Sequence, residues 1–185
     1  MARTYEEMDA IAMLKADHRK VEEIFAAFEK ATSKSRKQAL AEQACLELKV
    51  HTVLEEEVFY PACKGQIEED LLKEAYVEHD GAKQLINEIE AGGPEDDFYD
   101  AKVKVLSEMI EHHVEEEEKR SEGTFSQARA AGLDMDALAD AMRARKAEAM
   151  EAFQAGKPAE TRTMEGDDVA SALTDQPFGD GAAQR

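Results

Sequence analysis

Apolar residues recur every three or four positions through most of this chain, and no other feature constrains its fold as strongly. This spacing is that of one face of an α-helix. It runs through four segments, at about residues 11–28, 46–58, 71–89 and 98–110, and the last includes Phe98 and Val105. None of the segments shows the sustained period-two alternation that marks a strand. The fold class is therefore predicted to be all-α.

Residues that break helices separate these segments. Thr32 and Ser33 stand between the first two, and Pro61 with Gly65 is predicted to end the second. The run Gly92-Gly93-Pro94 precedes the fourth segment, with proline at the predicted start of the helix. Four long helices joined by short links favour an up-down-up-down four-helix bundle, which is predicted to occupy residues 1–130.

The rest of the chain divides into two parts. Residues 131–155 are predicted to add a fifth helix, from about Asp134 to Ala155, with Leu138, Met142 and Phe153 on its apolar side. Residues 156–185 are polar and contain few large hydrophobic side chains. This composition predicts a disordered tail.

The overall charge narrows the range of partners. A net charge of −19 opposes binding to nucleic acid and to anionic membrane surfaces, since both are negatively charged. The N-terminal MARTYEEMDAIAML lacks the apolar core of a signal peptide, so a cytoplasmic location is expected. Cys45 and Cys63 are not in CxxC spacing, and they are interpreted as buried, unreactive thiols.

The five histidines are placed unusually: His18, His51, His79 and His113 each lie on the apolar face of a different predicted helix, and His112 precedes the last. A single histidine in such a place is most often a core residue with one hydrogen bond. Four directed at one bundle axis would bury several imidazoles together, at about 1–3 kcal/mol for each polar group left without a partner. A shared metal site removes that cost.

Two glutamates share helical faces with these histidines. Glu55 follows His51 by four residues and Glu117 follows His113 by four, so each pair projects from one side of its helix. Neighbouring Glu56, Glu57, Glu115 and Glu118 are interpreted as solvated or outer charges. The pattern of a histidine followed by His-xxx-Glu occurs twice along the chain. Four imidazoles and two carboxylates suit iron or manganese, whereas zinc is content with one four-ligand shell.

The segments HTVLEEEVFYP, EHDGAKQLI and EHHVEEEE, preceded by His18, resemble the repeats of the hemerythrin-like (HHE cation-binding) domain family over about residues 5–130. The resemblance implies a four-helix bundle around a non-haem centre of two iron ions bridged by oxygen and two carboxylates. It also implies reversible binding of oxygen, or sensing of oxygen, peroxide, nitric oxide or iron. The ligands carried over are His18, His51, Glu55, His79, His113 and Glu117. Manganese or mixed-metal occupancy would use the same ligands.

The chain departs from the family pattern in places. Lys83 stands where oxygen-carrying members have a second histidine on the third helix, and His112, Glu22 or water could fill that gap. His112 also has a glutamate four residues on, so a strict repeat favours it, whereas helical phase favours His113. Tyr76, one turn before His79, faces either the site or the core. The FYP that follows Glu57 has only a displaced counterpart after the second repeat.

Rival interpretations make different predictions. A ferritin-like oxidase would carry Glu-x-x-His, and no histidine here has glutamate three residues before it. A metal-free acidic helical module would use its acidic surface and its fifth helix, which contains methionine, to bind a protein partner that the sequence does not identify. It predicts normal folding in chelator and no coloured species. A histidine-rich site favours binding of a small molecule over catalysis, with weak peroxidase or nitric-oxide chemistry as the alternative. Whether oxygen is stored, sensed or detoxified is not decided by these residues.

Overall fold

The structure is a computed structural model and describes residues 4–163 of the 185-residue chain. Within that range the regular structure is helical and contains no strand. A 3₁₀ turn at Tyr5–Glu7 comes first. The α-helices are α1 (Ala10–Lys30), α2 (Lys34–Leu54), α3 (Tyr60–Cys63), α4 (Glu69–Ala91), α5 (Tyr99–Glu118), α6 (Thr124–Ala130) and α7 (Met135–Gln154).

Three helices begin at an acidic or hydroxyl side chain that caps the first turn. Asp9 accepts a hydrogen bond from the Ala12 amide at 2.9 Å, and Asp134 accepts one from the Ala137 amide at 3.0 Å. Ser33 accepts a longer one from the Arg36 amide, at the break predicted between the first two helices. Such caps satisfy amides that have no partner within the helix. The helix predicted from about Asp134 therefore begins where its capping residue allows.

The sequence predicted that the second helix ends at Pro61 with Gly65, but the helical structure continues past Pro61. A π-helical turn at Glu55–Phe59 joins α2 to α3 without a break, and the helix continues through Pro61 to Cys63. The wider turn accommodates a residue that has no amide hydrogen to donate. Gly65 follows with a positive φ of 73°, which is the predicted glycine stop.

The start of α5 also differs from the prediction. The residues Gly92, Gly93 and Pro94 form a turn, and the helix begins only at Tyr99. The Asp96 carboxylate accepts a hydrogen bond from the Phe98 amide within that turn. As a result Tyr99 is buried, whereas Phe98 is 69% exposed. Val105, also counted on the apolar face, is 48% exposed.

The long helices pack as a bundle. Helix α1 contacts α2 and α5, and α4 contacts the same two helices from the other side. Helix α7 lies against α1, α2 and the π-helical turn, while the short α6, which the sequence did not predict, packs on α5. The fold is thus an all-helical bundle, and the up-down order of its helices remains a prediction.

A layer of buried histidines and carboxylates divides the apolar core into two clusters. One cluster contains Leu14, Leu54, Phe59, Leu72, Phe125 and Met142 among others. The other contains Val21, Phe25, Leu48, Ile86, Val103 and Leu106 among others. His18, His51 and His79 each lie between residues of the two clusters on their own helices, because they share the helical face of those residues. His113 follows Val103 and Leu106 of the second cluster on α5. The bundle therefore buries polar groups at its centre.

The predicted disordered tail is described only in part. Residues 157–163 lie outside the helices, and Ala159 is buried against α4, where it exchanges hydrogen bonds with Asn87. The remainder of the predicted tail falls outside the described residues. In the described range no helix has the length and apolar character needed to cross a membrane. The cytoplasmic location stays a prediction.

Candidate metal centre

The four histidines on the apolar faces meet in two pairs inside the bundle. The Nε2 atoms of His18 and His51 are 3.0 Å apart, and those of His79 and His113 are 3.1 Å apart. All four side chains are buried. We call His18 with His51 the first half-site, and His79 with His113 the second half-site. In both, the Nε2 atoms point inward.

Glu55 and Glu117 lie between the half-sites. Glu55 Oε2 is 3.1 Å from His51 Nε2 and 3.3 Å from His79 Nε2. Glu117 Oε2 is 3.5 Å from His18 Nε2 and 3.6 Å from His113 Nε2. Each carboxylate therefore contacts both half-sites, which is the position of a bridging ligand.

These six residues form two overlapping groups that could each hold a cation. The first comprises His18, His51, Glu55 and Glu117, and the second comprises Glu55, His79 and His113. Within each group the donor atoms lie within 4.8 Å of one another. The six residues predicted from the sequence are thus brought together, and they are buried.

The outward Nδ1 atoms of three histidines each donate to a carboxylate. His18 Nδ1 is 3.0 Å from Glu118 Oε1, and His79 Nδ1 is 3.1 Å from Glu56 Oε1. His113 Nδ1 is 2.7 Å from Glu78 Oε2. A carboxylate accepting from Nδ1 leaves the Nε2 lone pair free for a metal, and it fixes the orientation of the ring.

The residues present fit a metal, because buried oxygens at the centre lack hydrogen-bond partners. Among residues 4–163, both carboxylate oxygens of Glu55, Oε2 of Glu117 and Nδ1 of His51 have no hydrogen-bond partner. A buried unpaired carboxylate is costly unless a cation compensates it. Oxygen and imidazole nitrogen donors of this kind suit iron or manganese.

Charge in the metal-free site is compensated by protons on histidine. Burial lowers the pKa of His51, but the carboxylates of Glu55 and Asp17 outweigh it and raise that pKa to about 10. Burial also opposes the charged form of His113. The carboxylates of Glu117 and Glu55 outweigh it and raise the pKa of His113 well above its ordinary value. His18 differs, since burial dominates and lowers its pKa to about 4. Burial and the charge of Glu55 raise the pKa of Glu117 to about 8. Binding of a metal to these donors would therefore release protons.

Tyr60 is a residue of this centre that sequence reasoning missed. Its hydroxyl donates to Glu117 Oε1 at 2.9 Å, and its ring stacks on His79 with centroids 5.6 Å apart. Burial, and then the charge of Glu117, raises the pKa of Tyr60 well above its ordinary value, so the hydroxyl keeps its proton. The FYP segment offered only the aromatic ring as a signal. Tyr76 packs edge-on against Tyr60 and stays outside the group of candidate donors.

The structure shows which of the residues considered as extra ligands reach the second half-site. His112 is 61% exposed on its side chain and approaches Glu78 at 3.5 Å, so it does not reach the centre. Glu22 is exposed and pairs with Arg19. Lys83 is buried, and its ammonium is bound by Glu56 at 2.6 Å and Asp80 at 3.2 Å. A protonated lysine has no lone pair to offer a metal. His113, which helical phase favoured, is the member of the doublet that lies in the second half-site, and its role as a ligand stays a prediction.

The π-helical turn lies directly at the centre. It begins at Glu55, and both Glu55 and Glu56 are buried. Glu55 faces the histidine pairs, while Glu56 reaches His79 from the outer side. Single π turns within helices occur frequently at functional sites. Glu55 and Glu56 thus contact the two ring nitrogens of His79, Glu55 at Nε2 and Glu56 at Nδ1.

The bundle and its buried His/Glu centre define a helical cation-binding domain. A sequence profile of the family described as "Hemerythrin HHE cation binding domain" matches residues 9–121. The chain belongs to this family. The resemblance drawn from the sequence is confirmed.

Comparison with curated proteins adds a distant relative. The chain is similar to a DNA nickase of Nostoc sp. (strain PCC 7120 / SAG 25.82 / UTEX 2576), with 27% identity over 113 residues. That match covers 61% of this chain and 32% of the nickase, so the chain spans about a third of the relative's length. No solved structure matches the chain.

Proposed function

We propose that this protein holds a non-haem centre of two iron ions and binds or senses a small molecule there, such as oxygen, peroxide or nitric oxide. The observation that carries the proposal is the pair of buried glutamates whose inner oxygens lack hydrogen bonds and face four imidazole nitrogens. Iron sensing is a variant of the same function, because the ligands would be the same.

The ligands would be His18, His51, His79, His113, Glu55 and Glu117. The first half-site with both glutamates supplies four donors, and the second half-site with Glu55 supplies three. In this grouping the second metal would have fewer protein ligands, which would leave a coordination position for an added molecule. When bound, the two irons would supply electrons and an open coordination position. Manganese or mixed occupancy uses the same donors.

A small cavity beside the histidines supports a ligand of a few atoms. It has a volume of about 20 Å³, and its lining includes all four histidines. Most of the remaining lining is apolar, with Val21, Leu48, Ala82, Ile86, Ile110 and Val114 beside the polar Asp17 and Thr52. A volume of this size holds one water-sized molecule. Ile110 lines this cavity, and Phe25 and Leu54 belong to the apolar clusters on the two sides of the histidine layer.

The test is metal content together with the ultraviolet-visible spectrum of the purified protein, before and after dithionite and then after exposure to air. About two irons per chain, with near-ultraviolet bands that bleach on reduction and return in air, are expected. A stable visible species after oxygenation would favour oxygen binding, and simple reoxidation would favour a sensor or redox role. Protein that takes up no ferrous iron under anaerobic conditions would overturn the proposal.

The metal-free acidic interaction module is the rival that this experiment addresses. It leaves the inner carboxylate of Glu55 buried with protonated histidine as its compensation and without a hydrogen bond among the described residues. The activity in the name of the Nostoc relative is not proposed for this chain, since a net charge of −19 opposes binding to DNA.

A further inference from the structure

The C-terminal strap, which we define as residues 157–163, lies along α4 next to the second half-site. The side-chain Nδ2 of Asn87 donates to the backbone carbonyl of Ala159 at 3.0 Å. The side-chain Oδ1 of Asn87 accepts from the backbone amide of Ala159 at 3.2 Å. Further along the strap, the amide of Arg162 donates to both Asp80 oxygens, at 3.0 and 2.8 Å. The Thr163 hydroxyl donates to Asp80 at 2.6 Å, and its amide also donates there.

Asp80 is fully buried and directly follows His79 in sequence. A buried carboxylate needs donors, and the strap supplies backbone donors that no helix offers at this point. Lys83 adds a contact at 3.2 Å from one turn further along α4. The strap is therefore fixed at a residue adjacent to a candidate ligand.

The side chain of Arg162 reaches the other neighbour of His79. Its Nε is 2.9 Å from Glu56 Oε2. The second oxygen of Glu56 accepts from Lys83 at 2.6 Å and from His79 Nδ1 at 3.1 Å. Glu56 and Asp80 are both buried, and Lys83 and Arg162 together balance their two charges. Without Arg162, one of the two buried carboxylates would lack a countercharge.

Among the described residues, the strap does not contact the outer carboxylates of the other histidines. Glu118, which accepts from His18, is paired with Lys15 at 3.2 Å and Arg19 at 2.6 Å, both on α1. Glu78 accepts from His113 and, within the part of the chain that the structure describes, forms one further ion pair, with His112. Among the described contacts, the strap thus acts on the second half-site alone, through Glu56 and Asp80.

We infer that Arg162 is a positioning residue for His79, and that the C-terminal strap holds the second half-site in the geometry that retains its metal. The inference rests on the proposed function, because it requires a metal at that half-site. Arg162 orients the Glu56 carboxylate, Glu56 orients the His79 ring, and the strap carries Arg162 to its place. Mutation of the group that accepts a hydrogen bond from a metal-binding histidine typically lowers metal affinity about 10- to 100-fold.

The test loads full-length protein with ferrous iron under anaerobic conditions and follows iron release to a chromogenic chelator. Arg162→Gln should release one of its two irons about tenfold faster, while the other leaves at the wild-type rate. Arg162→Lys should restore part of the difference. Asn87→Ala, which weakens the strap away from the site, should accelerate the same iron by a smaller factor.

Arg145→Gln is the matched control. Arg145 also pairs with a glutamate of the π-helical turn, Glu57 at 2.7 Å, but it has no described contact with Glu56. It should release both irons at wild-type rates. Equal acceleration of both irons, the same effect in the control, or no change in Arg162→Gln or Asn87→Ala would overturn the inference. Wild-type protein that binds no iron would instead refute the proposed function itself, so the two failures are distinguishable.

Discussion

The two half-sites are built from the same sequence pattern and have nearly the same inner geometry. An acidic residue and a histidine begin each repeat, and His-xxx-Glu-Glu completes it: Asp17, His18, His51, Glu55 and Glu56, then Glu78, His79, His113, Glu117 and Glu118. The ring centroids of the paired histidines are 4.7 Å apart in the first half-site and 4.6 Å in the second. The repeated helical spacing is enough to reproduce the inner arrangement.

The outer partners differ where the first acid of each repeat faces a histidine. Glu78 accepts from His113 Nδ1 at 2.7 Å. Asp17, in the matching place, is 3.9 Å from His51 Nδ1, which is too long for a direct hydrogen bond. Aspartate is one methylene shorter, and Lys146 of α7 holds its two oxygens at 2.7 and 2.8 Å. His51 therefore keeps an unpaired Nδ1.

Different elements cover the two half-sites from outside, and this explains the divergence. Helix α7 supplies Lys146 beside the first half-site, while the C-terminal strap supplies Arg162 beside the second. The comparison teaches that helical repetition determines which donors face inward. The elements packed outside the repeats determine how firmly each donor is held.

The largest effect should come from the residue that joins the half-sites. Glu55→Ala removes a carboxylate near His51, His79 and His113 at once. We expect the affinity for both metals to fall, each by at least about tenfold, because both lose a ligand. Metal content per chain after dialysis measures this. Glu115→Ala, at an exposed position of α5 outside the candidate donors, is the control and should retain its metal. Full loading of the Glu55 variant would contradict the ligand assignment.

Removing one histidine should affect one half-site more than the other. His51→Ala should lose the metal of the first half-site and His79→Ala that of the second, so each variant retains about one metal per chain. Metal analysis with far-ultraviolet circular dichroism, which checks that the helices persist, measures the outcome. If both variants lost both metals, the half-sites would be a single cooperative unit.

The metal-free protein should become less stable as pH rises from about 6.5 to 9. The pKa of folded His51 is raised to about 10, so its stabilising contribution is present below its ordinary pKa and lost as pH rises. The pKa of Glu117 is raised to about 8, which acts in the same direction, because the folded state holds that proton more tightly. Thermal unfolding in chelator measures the trend. A smaller dependence is expected after metal loading, and a melting temperature that rises over this range would refute the charge assignment.

Shortening Glu78 should make the second half-site resemble the first in its outer partner. Glu78→Asp would move the carboxylate away from His113 Nδ1, and we expect up to about tenfold faster release of one metal. The chelator assay used for Arg162 measures the rate. Glu74→Asp on the same helix, outside the centre, is the control. An unchanged rate would mean that the outer carboxylate does not contribute to retention.

The smallest effect on metal binding is expected for substitution of His112, which precedes the candidate ligand His113. His112→Gln should leave metal content and release rates unchanged, because its side chain is exposed and directed at Glu78. His113→Gln is its partner experiment and should lose the metal of the second half-site. Loss of metal in the His112 variant would reverse the choice between the two histidines.

Much of the inner site could be predicted because it depends on local spacing. A histidine in phase with apolar residues of its helix must face the bundle axis, and a glutamate four residues later must share that face. This placed His51 with Glu55, and it favoured His113 over His112. The helix start at Pro94 was predicted wrongly, because a longer loop precedes α5. The predicted end at Pro61 with Gly65 is met at Gly65, because the π-helical turn carries the helix through Pro61 to Cys63.

The outer partners could not be predicted because they depend on which helices face each other. Tyr60 reaches Glu117 across 57 positions of sequence, and Glu78 reaches His113 across 35. Arg162 approaches Glu56 from a segment whose composition indicated only disorder. The sequence by itself determined the helical class and the inward-facing donors, since helical periodicity is a local property. Only the tertiary structure decided which groups orient those donors, because hydrogen bonds between distant segments depend on how the helices pack.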